Sequence, residues 1–246
     1  MKREENDDVF EPEPIAVVTE VAKTSPRAMP GPTTAWSAEG VIAVLEELVV
    51  SERRERLQKA LSARKRDVTV VMDHPHDPHN ASAVLRSCDA FGVQEVHVLV
   101  DHEVFAASRM VAKGSQRWVD VVEYRDAQQL ADQLHQENYQ LLITHPEGEL
   151  TLEDLPDLEK VALLMGNERD GICPELAAHA DGKIRIPMCG FVESLNVSVS
   201  AAILVQAATS QRTGDLGDLE KQELYARWLR ATVPRADEIL LASEAR

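Results

Sequence analysis

Three short stretches hold polar side chains at spacings that could do chemistry. The first is HPHDPHNASAVLR, residues 74–86. Asn80 and Arg86 are nearly two turns apart if that stretch is helical. Arg86 follows Val84 and Leu85 on an otherwise apolar turn, where an arginine needs a carboxylate partner or an anionic ligand. Its planar guanidinium suits a phosphate or a developing oxyanion. Asn80 reads as the N-cap of the helix that carries Arg86. His74, His76 and His79 suggest a metal, but H-x-H-x-x-H has no fourth ligand and no helical i, i+4 pair, and Pro75 and Pro78 interrupt it. A turn-rich loop is expected there, and no metal.

The second stretch is GNERDG, residues 166–171, where two glycines bracket a tight turn and let backbone N–H groups approach a ligand. It is neither a G-x-G-x-x-G fingerprint nor a P-loop. The third is PMCGFVESLN, residues 187–196, which sets Glu193, Ser194 and Asn196 ahead of an apolar run. At least one of these reads as a helix cap. No G-x-S-x-G nucleophile elbow is present.

These stretches follow the ends of apolar runs. VTVVMD (68–73), EVHVLV (95–100), residues near 118–122, YQLLITH (139–145), KVALLMG (160–166) and KIRIP (183–187) read as strands. Between them lie a helix through Leu85 and Phe91 ending at Gly92, a helical or irregular piece near 105–113, a helix near 126–136 and a short one from Pro174. LNVSVSAAILVQAA (195–208) is apolar all round, so as a helix it must bury most of its surface. The alternation predicts an α/β fold, a mostly parallel sheet covered by helices. Ligands in such sheets gather at the carboxyl ends of strands, where all three polar stretches lie.

Residues 1–36 hold five of the twelve prolines and clustered acids, and read as a disordered tail. Residues 37–66 form a helical segment. SAEGVIAVLEELVV starts at a Ser37 cap and runs into SERRERLQKALSARKRD, a basic stretch in a chain of net charge −16. Residues 67–212 carry the strands, and 213–246 a helical extension. No apolar run is long enough to span a membrane and the first ten residues lack a signal peptide's apolar stretch. Three cysteines without C-x-x-C spacing fit a reducing cytoplasm rather than a disulfide scaffold. The acidic balance argues against nucleic-acid binding through the overall field, but leaves a local basic face open to it.

Taken in order, the three stretches resemble the signature motifs of the SpoU branch of the SPOUT RNA methyltransferases. Asn80, Ser82, Ala83, Arg86, Ala90 and Gly92 match its N-x-S/G-A-x-x-R-x-x-x-A-x-G motif. LLMGNERDGI resembles L-x-G-x-E-x-x-G-I, and IPMCGFVESLNVSVSAAILVQ resembles the third motif almost letter for letter. KGSQRWV (113–119) is similar to the branch's G-S-x-x-W-V stretch. The likeness spans about residues 52–212 and extends to LYARWLR (224–230). Within the branch it points to the subgroup that methylates the ribose 2′-hydroxyl of guanosine 18 in the tRNA D-loop.

The resemblance implies a C-terminal deep trefoil knot, a homodimer and S-adenosylmethionine as methyl donor, with tRNA as partner. It implies catalytic roles for Arg86, Asn80, Glu168, Ser194 and Asn196. The cofactor would contact Thr144, Met165, Gly166, Asn167, Gly171, Ile186, Met188, Leu195 and Asn196. For RNA contacts the residues to expect are Arg53, Arg56, Arg64, Lys113 and Arg212. The chain departs from the pattern at Ser210, which stands where the first of two alternating arginines is usual, leaving Arg212 alone. Other readings are ribose methylation of rRNA or another tRNA position, and an RNA-binding protein without catalysis.

Overall fold

The computed structural model describes residues 36–101, 117–167 and 169–244. The 1–35 part of the tail, the piece near 105–113, Lys113 and Glu168 lie outside the described residues.

Six strands form one sheet: β1 (Val68–Asp73), β2 (Glu95–Leu99), β3 (Asp120–Tyr124), β4 (Gln140–Thr144), β5 (Val161–Met165) and β6 (Gly182–Ile184). Their order is β3-β2-β1-β5-β4-β6, and every pairing is parallel. β1 and β5 are buried along their whole lengths, as continuous Val/Leu runs require when helices cover both faces. Val70 sits between Val96 and Leu163 at the centre.

One face of the sheet packs on α3 (Pro78–Ala90) and α6 (Val197–Thr209), through Val84, Leu85 and Cys88 of the first and Ala201, Leu204 and Val205 of the second. The other face packs on α4 (Ala127–Gln136), with Leu130 and Leu134 against Val71, Leu141 and Leu164, and on the one-turn α5 (Pro174–Ala177). A third cluster joins the two ends of the described chain. Here α1 (Ala38–Leu45) and α2 (Ser51–Ser62) pack on α7 (Asp218–Thr232) and α8 (Ala236–Glu244), around Leu45, Leu57 and Trp228.

Ser37 caps α1 as expected, accepting the Gly40 N–H at 3.1 Å. The continuous helix expected from there is broken: a 3-10 turn at Glu46–Leu48 and extended Val49 and Val50 separate α1 from α2. The break lets Val49 bury while Val50 faces water. The cap of α3 also differs. Asp77 accepts the His79 N–H at 2.8 Å and Pro78 stands in the first turn, so the helix starts before Asn80. A proline's fixed φ suits that position, and the earlier start leaves the Asn80 side chain for another partner. Gly92 ends the helix at φ 83°, where a Cβ would meet the Ala63 carbonyl oxygen at 2.5 Å. The strand expected near 118–122 is shifted to Asp120–Tyr124, in register with Glu95–Leu99. KIRIP contributes only its first residues to β6, because the Arg185 N–H turns aside to the Leu150 carbonyl. No helix among the described residues is long and apolar enough to cross a membrane.

Candidate active site

Strands β1, β2 and β3 step to one side of the sheet, whereas β5, β4 and β6 lie on the other. The reversal falls between β1 and β5, and the loops after such a pair form a crevice in open α/β sheets. A small cavity of about 20 Å³ sits there, lined by Asp73, Asn80, Val84, Met165, Gly166 and Asn167 among others. The first two polar stretches therefore meet through the sheet order.

Asp73 closes β1 and is 1% exposed. One carboxylate oxygen lies 2.5 Å from His74 Nδ1; the other accepts the Cys173 N–H at 2.5 Å. This ties the end of β1 to the segment after GNERDG. His74 has φ 43°, a left-handed conformation costly for a non-glycine, and its N–H reaches the Leu99 carbonyl. His74, Asp73 and Cys173 lie close enough to share a metal ion, whereas no metal-holding group among the described residues includes His76 or His79. The Asp73 carboxylate is already spent on a main-chain N–H and an imidazole, which accounts for its burial without an ion.

In the second stretch, Asn167 and Gly171 exchange backbone hydrogen bonds of 3.0 and 3.2 Å. Asn167 Oδ1 also accepts the Arg169 and Asp170 N–H groups. A Cβ on Gly166 would stand 2.3 Å from the Gly171 carbonyl carbon, so the tight return of the loop requires glycine there. Gly171 takes φ 73°.

Among the described residues, a side-chain hydrogen bond joins the third stretch to the first: Asn196 Nδ2 donates to Asn80 Oδ1 at 3.1 Å. Asn196 Oδ1 also caps α6, accepting the Ser198 N–H at 2.8 Å and its hydroxyl at 2.6 Å. Ile186 and Leu195 are half-buried; Met188 and Ser194 are exposed. Among the described residues, the backbone of 186–195 makes no hydrogen bond. Phe191 and Val192 are bare as well. Unpaired main-chain donors and acceptors beside apolar side chains fit the edge and the faces of a purine. Thr144 ends β4 opposite Ile184 of β6, which places it beside this loop. The chain thus has a fitting cradle for an adenosine-containing cofactor.

The Arg86 side chain is exposed and makes neither a hydrogen bond nor an ion pair with another described residue. The core-carboxylate partner that would make it structural is not present among those residues. Two arginines expected to contact RNA are placed differently. Arg64 is 3% exposed, bonded to Asp89 at 2.5 Å and to the Val93 carbonyl, with its guanidinium over the Trp228 ring. Arg212 bonds Asp67 at 2.8 Å and the carbonyls of Ala208, Leu155, Leu158 and Glu159. Their charges are neutralised within the fold, and both leave the set of free phosphate contacts. Arg56 is exposed and Arg53 half-buried, lying over the Trp118 ring at 5.6 Å. Asp73 is the site residue that charge and spacing missed; its signal was a carboxylate ending an otherwise apolar strand.

Residues 67–206 match the SpoU rRNA Methylase family. The tRNA (guanosine(18)-2′-O)-methyltransferase of Escherichia coli K12 is 37% identical over 161 residues, 65% of this chain and 70% of that protein. The enzyme of the same name from Thermus thermophilus is 36% identical over 191 residues, 72% of this chain and 96% of that one. The crystal structure of the A. aeolicus TrmH/SpoU tRNA modifying enzyme superposes with a TM-score of 0.67 at 30% identity, covering 78% of this chain and all of that one (100%). With its motif loops gathered at one end of a parallel sheet, the chain belongs to the SpoU rRNA methylase family.

Proposed function

We propose that this protein is a tRNA (guanosine-2′-O-)-methyltransferase that modifies guanosine 18 of the D-loop, with S-adenosylmethionine as donor. The observation that carries the reading is the convergence of Asn80, Asn196, Met165 and Gly166 at the strand reversal, with Arg86 on the same helix as Asn80 and unpaired there among the described residues. Relatives named for that tRNA position, similar over most of their length, support the substrate.

When bound, S-adenosylmethionine supplies a methyl group already activated on its sulfonium, so no metal is required. The chain's own residues must bind, align and handle one proton. Met165, Gly166, Asn167, Gly171, Thr144, Ile186, Met188 and Leu195 form the cofactor cradle. Arg86 holds the ribose 2′-oxygen as its proton leaves. A guanidinium is a poor base, so its role is to stabilise the forming alkoxide while an RNA phosphate shares the proton. Asn80, through Asn196, fixes the start of the helix that carries Arg86. Ser194 and Glu168 complete the polar set, and Arg53, Arg56 and Lys113 meet phosphates.

The active unit is a homodimer in the cytoplasm. Exposed Val199 of α6 offers an apolar position that a second copy would cover. The C-terminal part of the chain is threaded as a deep trefoil knot, a reading supported by its membership of the SpoU family. Incubation with labelled donor and unmodified tRNA, followed by mapping of the methylated ribose, tests the assignment. Label at guanosine 18 supports it, and label only at another tRNA position, or none, overturns it.

A further inference from the structure

A second cleft lies at the opposite end of the α3/α6 pair. It encloses about 520 Å³ between α2, the ends of α3 and α6, and the indoles of Trp118 and Trp228. Sites of a few hundred cubic ångströms accommodate a nucleotide-sized ligand. Arg53, Arg56, Arg64 and Lys65 line it against a single carboxylate, Asp89, which Arg64 already occupies. In a chain of net charge −16 this is a local reversal of sign. Glu52 and Glu55 of α2 are exposed and do not line it.

The walls are aromatic as well as basic. Phe91 and Trp118 are half-buried, and Trp118 meets Trp228 edge to face at 5.5 Å. Two lining residues more than nine-tenths buried leave a polar atom without a partner among the described residues: Arg64 Nε and Trp228 Nε1. Both are obligate donors, and buried donors are ordinarily paired. The half-buried Trp118 and Phe91 rings beside the Arg53 and Arg56 cations are the combination that holds a splayed nucleotide, its base stacked and its phosphate paired.

We propose that this cleft takes one unstacked nucleotide of the substrate RNA, separate from the nucleotide that is methylated. The inference rests on the reading that the substrate is RNA. α3 and α6 both begin at the cofactor end and finish at the cleft, and Ala90 and Ser210 are on its rim. Arg86 lies one turn before Ala90, about 6 Å of axial rise. RNA seated in the cleft therefore passes Arg86 on its way to the cofactor loops, and the cleft sets how far along the strand the reacting ribose falls. Trp118 and Arg56 are its positioning residues.

The test compares Trp118→Ala, Trp118→Phe and Arg56→Glu in the full chain. Two readouts are used: methyl-transfer kinetics on an unmodified tRNA transcript, and fluorescence-anisotropy binding of a labelled single-stranded oligoribonucleotide. Trp118→Ala and Arg56→Glu should each raise the tRNA KM and the oligoribonucleotide Kd about tenfold. The KM for S-adenosylmethionine and kcat should move less than twofold. Trp118→Phe, which keeps a stacking ring, should restore most of the affinity, and Arg56 is exposed, so its replacement leaves the core intact. Unchanged tRNA KM and oligoribonucleotide Kd in Trp118→Ala overturns the cleft even if Arg56→Glu weakens both, since Arg56 would then be a plain phosphate contact; methylation of tRNA by the unaltered protein leaves the functional reading standing. Weakened oligoribonucleotide binding in a protein that methylates no tRNA supports the cleft and overturns only that reading.

Discussion

At the amino ends of β1, β2 and β3, Arg66, Arg212 and Arg227 each have an acidic partner. Arg66 bonds Glu95 at 2.6 Å, Glu220, and Asp120 at 3.4 Å; Arg227 also grips Asp120; Arg212 holds Asp67. Asp215 accepts the backbone N–H groups of Arg66 and Asp67 at 2.8 and 2.9 Å. At the carboxyl ends, the ties among the described residues include an Asn–Asn contact, the Asp73 staple, a His74–Asp101 pair and a glycine turn, while Arg86 and Ser194 face solvent. Satisfied ion pairs fasten the terminal helices to the sheet, whereas unsatisfied backbone and unpaired charge are what a ligand site requires. For Arg64, Arg212 and Arg86, the presence or absence of a carboxylate partner separates the structural arginines from the candidate functional one.

The contrast predicts opposite outcomes for two arginine deletions. Arg86→Ala should lower methyl transfer at least about 100-fold, the scale of losing a preorganised donor to an oxyanion. Its melting temperature should not change. Arg86→Lys, which keeps the charge and loses the fork, should recover little of the rate. Arg212→Ala should do the reverse. It leaves Asp67 and buried carbonyls unpaired, a loss of about 3 kcal/mol in urea unfolding, with methyl transfer per folded molecule near that of the unaltered protein. Equal stability losses in the two variants would erase the distinction.

A smaller effect belongs to Asn196. Its replacement by alanine removes the α6 cap, about 1 kcal/mol, and with it the tie to Asn80. Transfer should fall by more than that loss of stability explains. The ion-paired end also has a pH signature. Burial alone would raise the Asp120 carboxyl, but Arg227, Arg66 and a Gln94 hydrogen bond outweigh it and hold it below the usual carboxylate range. A depressed folded pKa contributes stability above the unfolded value and loses it as pH falls toward the folded one. Thermal melts should therefore decline below about pH 4, and Asp120→Asn should flatten that decline.

The smallest expected effect is chemical. Burial pushes the Cys88 thiol up to about 12 and, with Asp73 nearby, the Cys173 thiol up to about 11. Cys189 is exposed in the third motif loop. Iodoacetamide should modify Cys189 first, and S-adenosylhomocysteine should slow it, as read by peptide mass mapping.

Much of this was legible in the residues. Continuous apolar runs marked the strands, and the polar stretches after β1 and β5, with the one past β6, marked the site. What was not legible depended on distant partners. Arg212 and Arg64 carry the same charge as Arg56, and nothing local says that Asp67 and Asp89 await them. Asp77 and Asn80 are both good caps, and Pro78 between them decides for the earlier one. The third strand could begin at 118 or 120 by pattern; pairing of Asp120 with Glu95, and its carboxylate with Arg66 and Arg227, selects the later start. The break between α1 and α2 carries neither glycine nor proline, and comes from packing of Val49 onto α7 and its neighbours.

The most direct measurement pairs unmodified tRNA with labelled S-adenosylmethionine and the purified protein, and maps the product by nuclease digestion and mass spectrometry. The account predicts one methyl on the 2′-oxygen of guanosine 18, and none when Arg86 is alanine. Methylation on a base, or full ribose methylation by the Arg86→Ala protein, would contradict it.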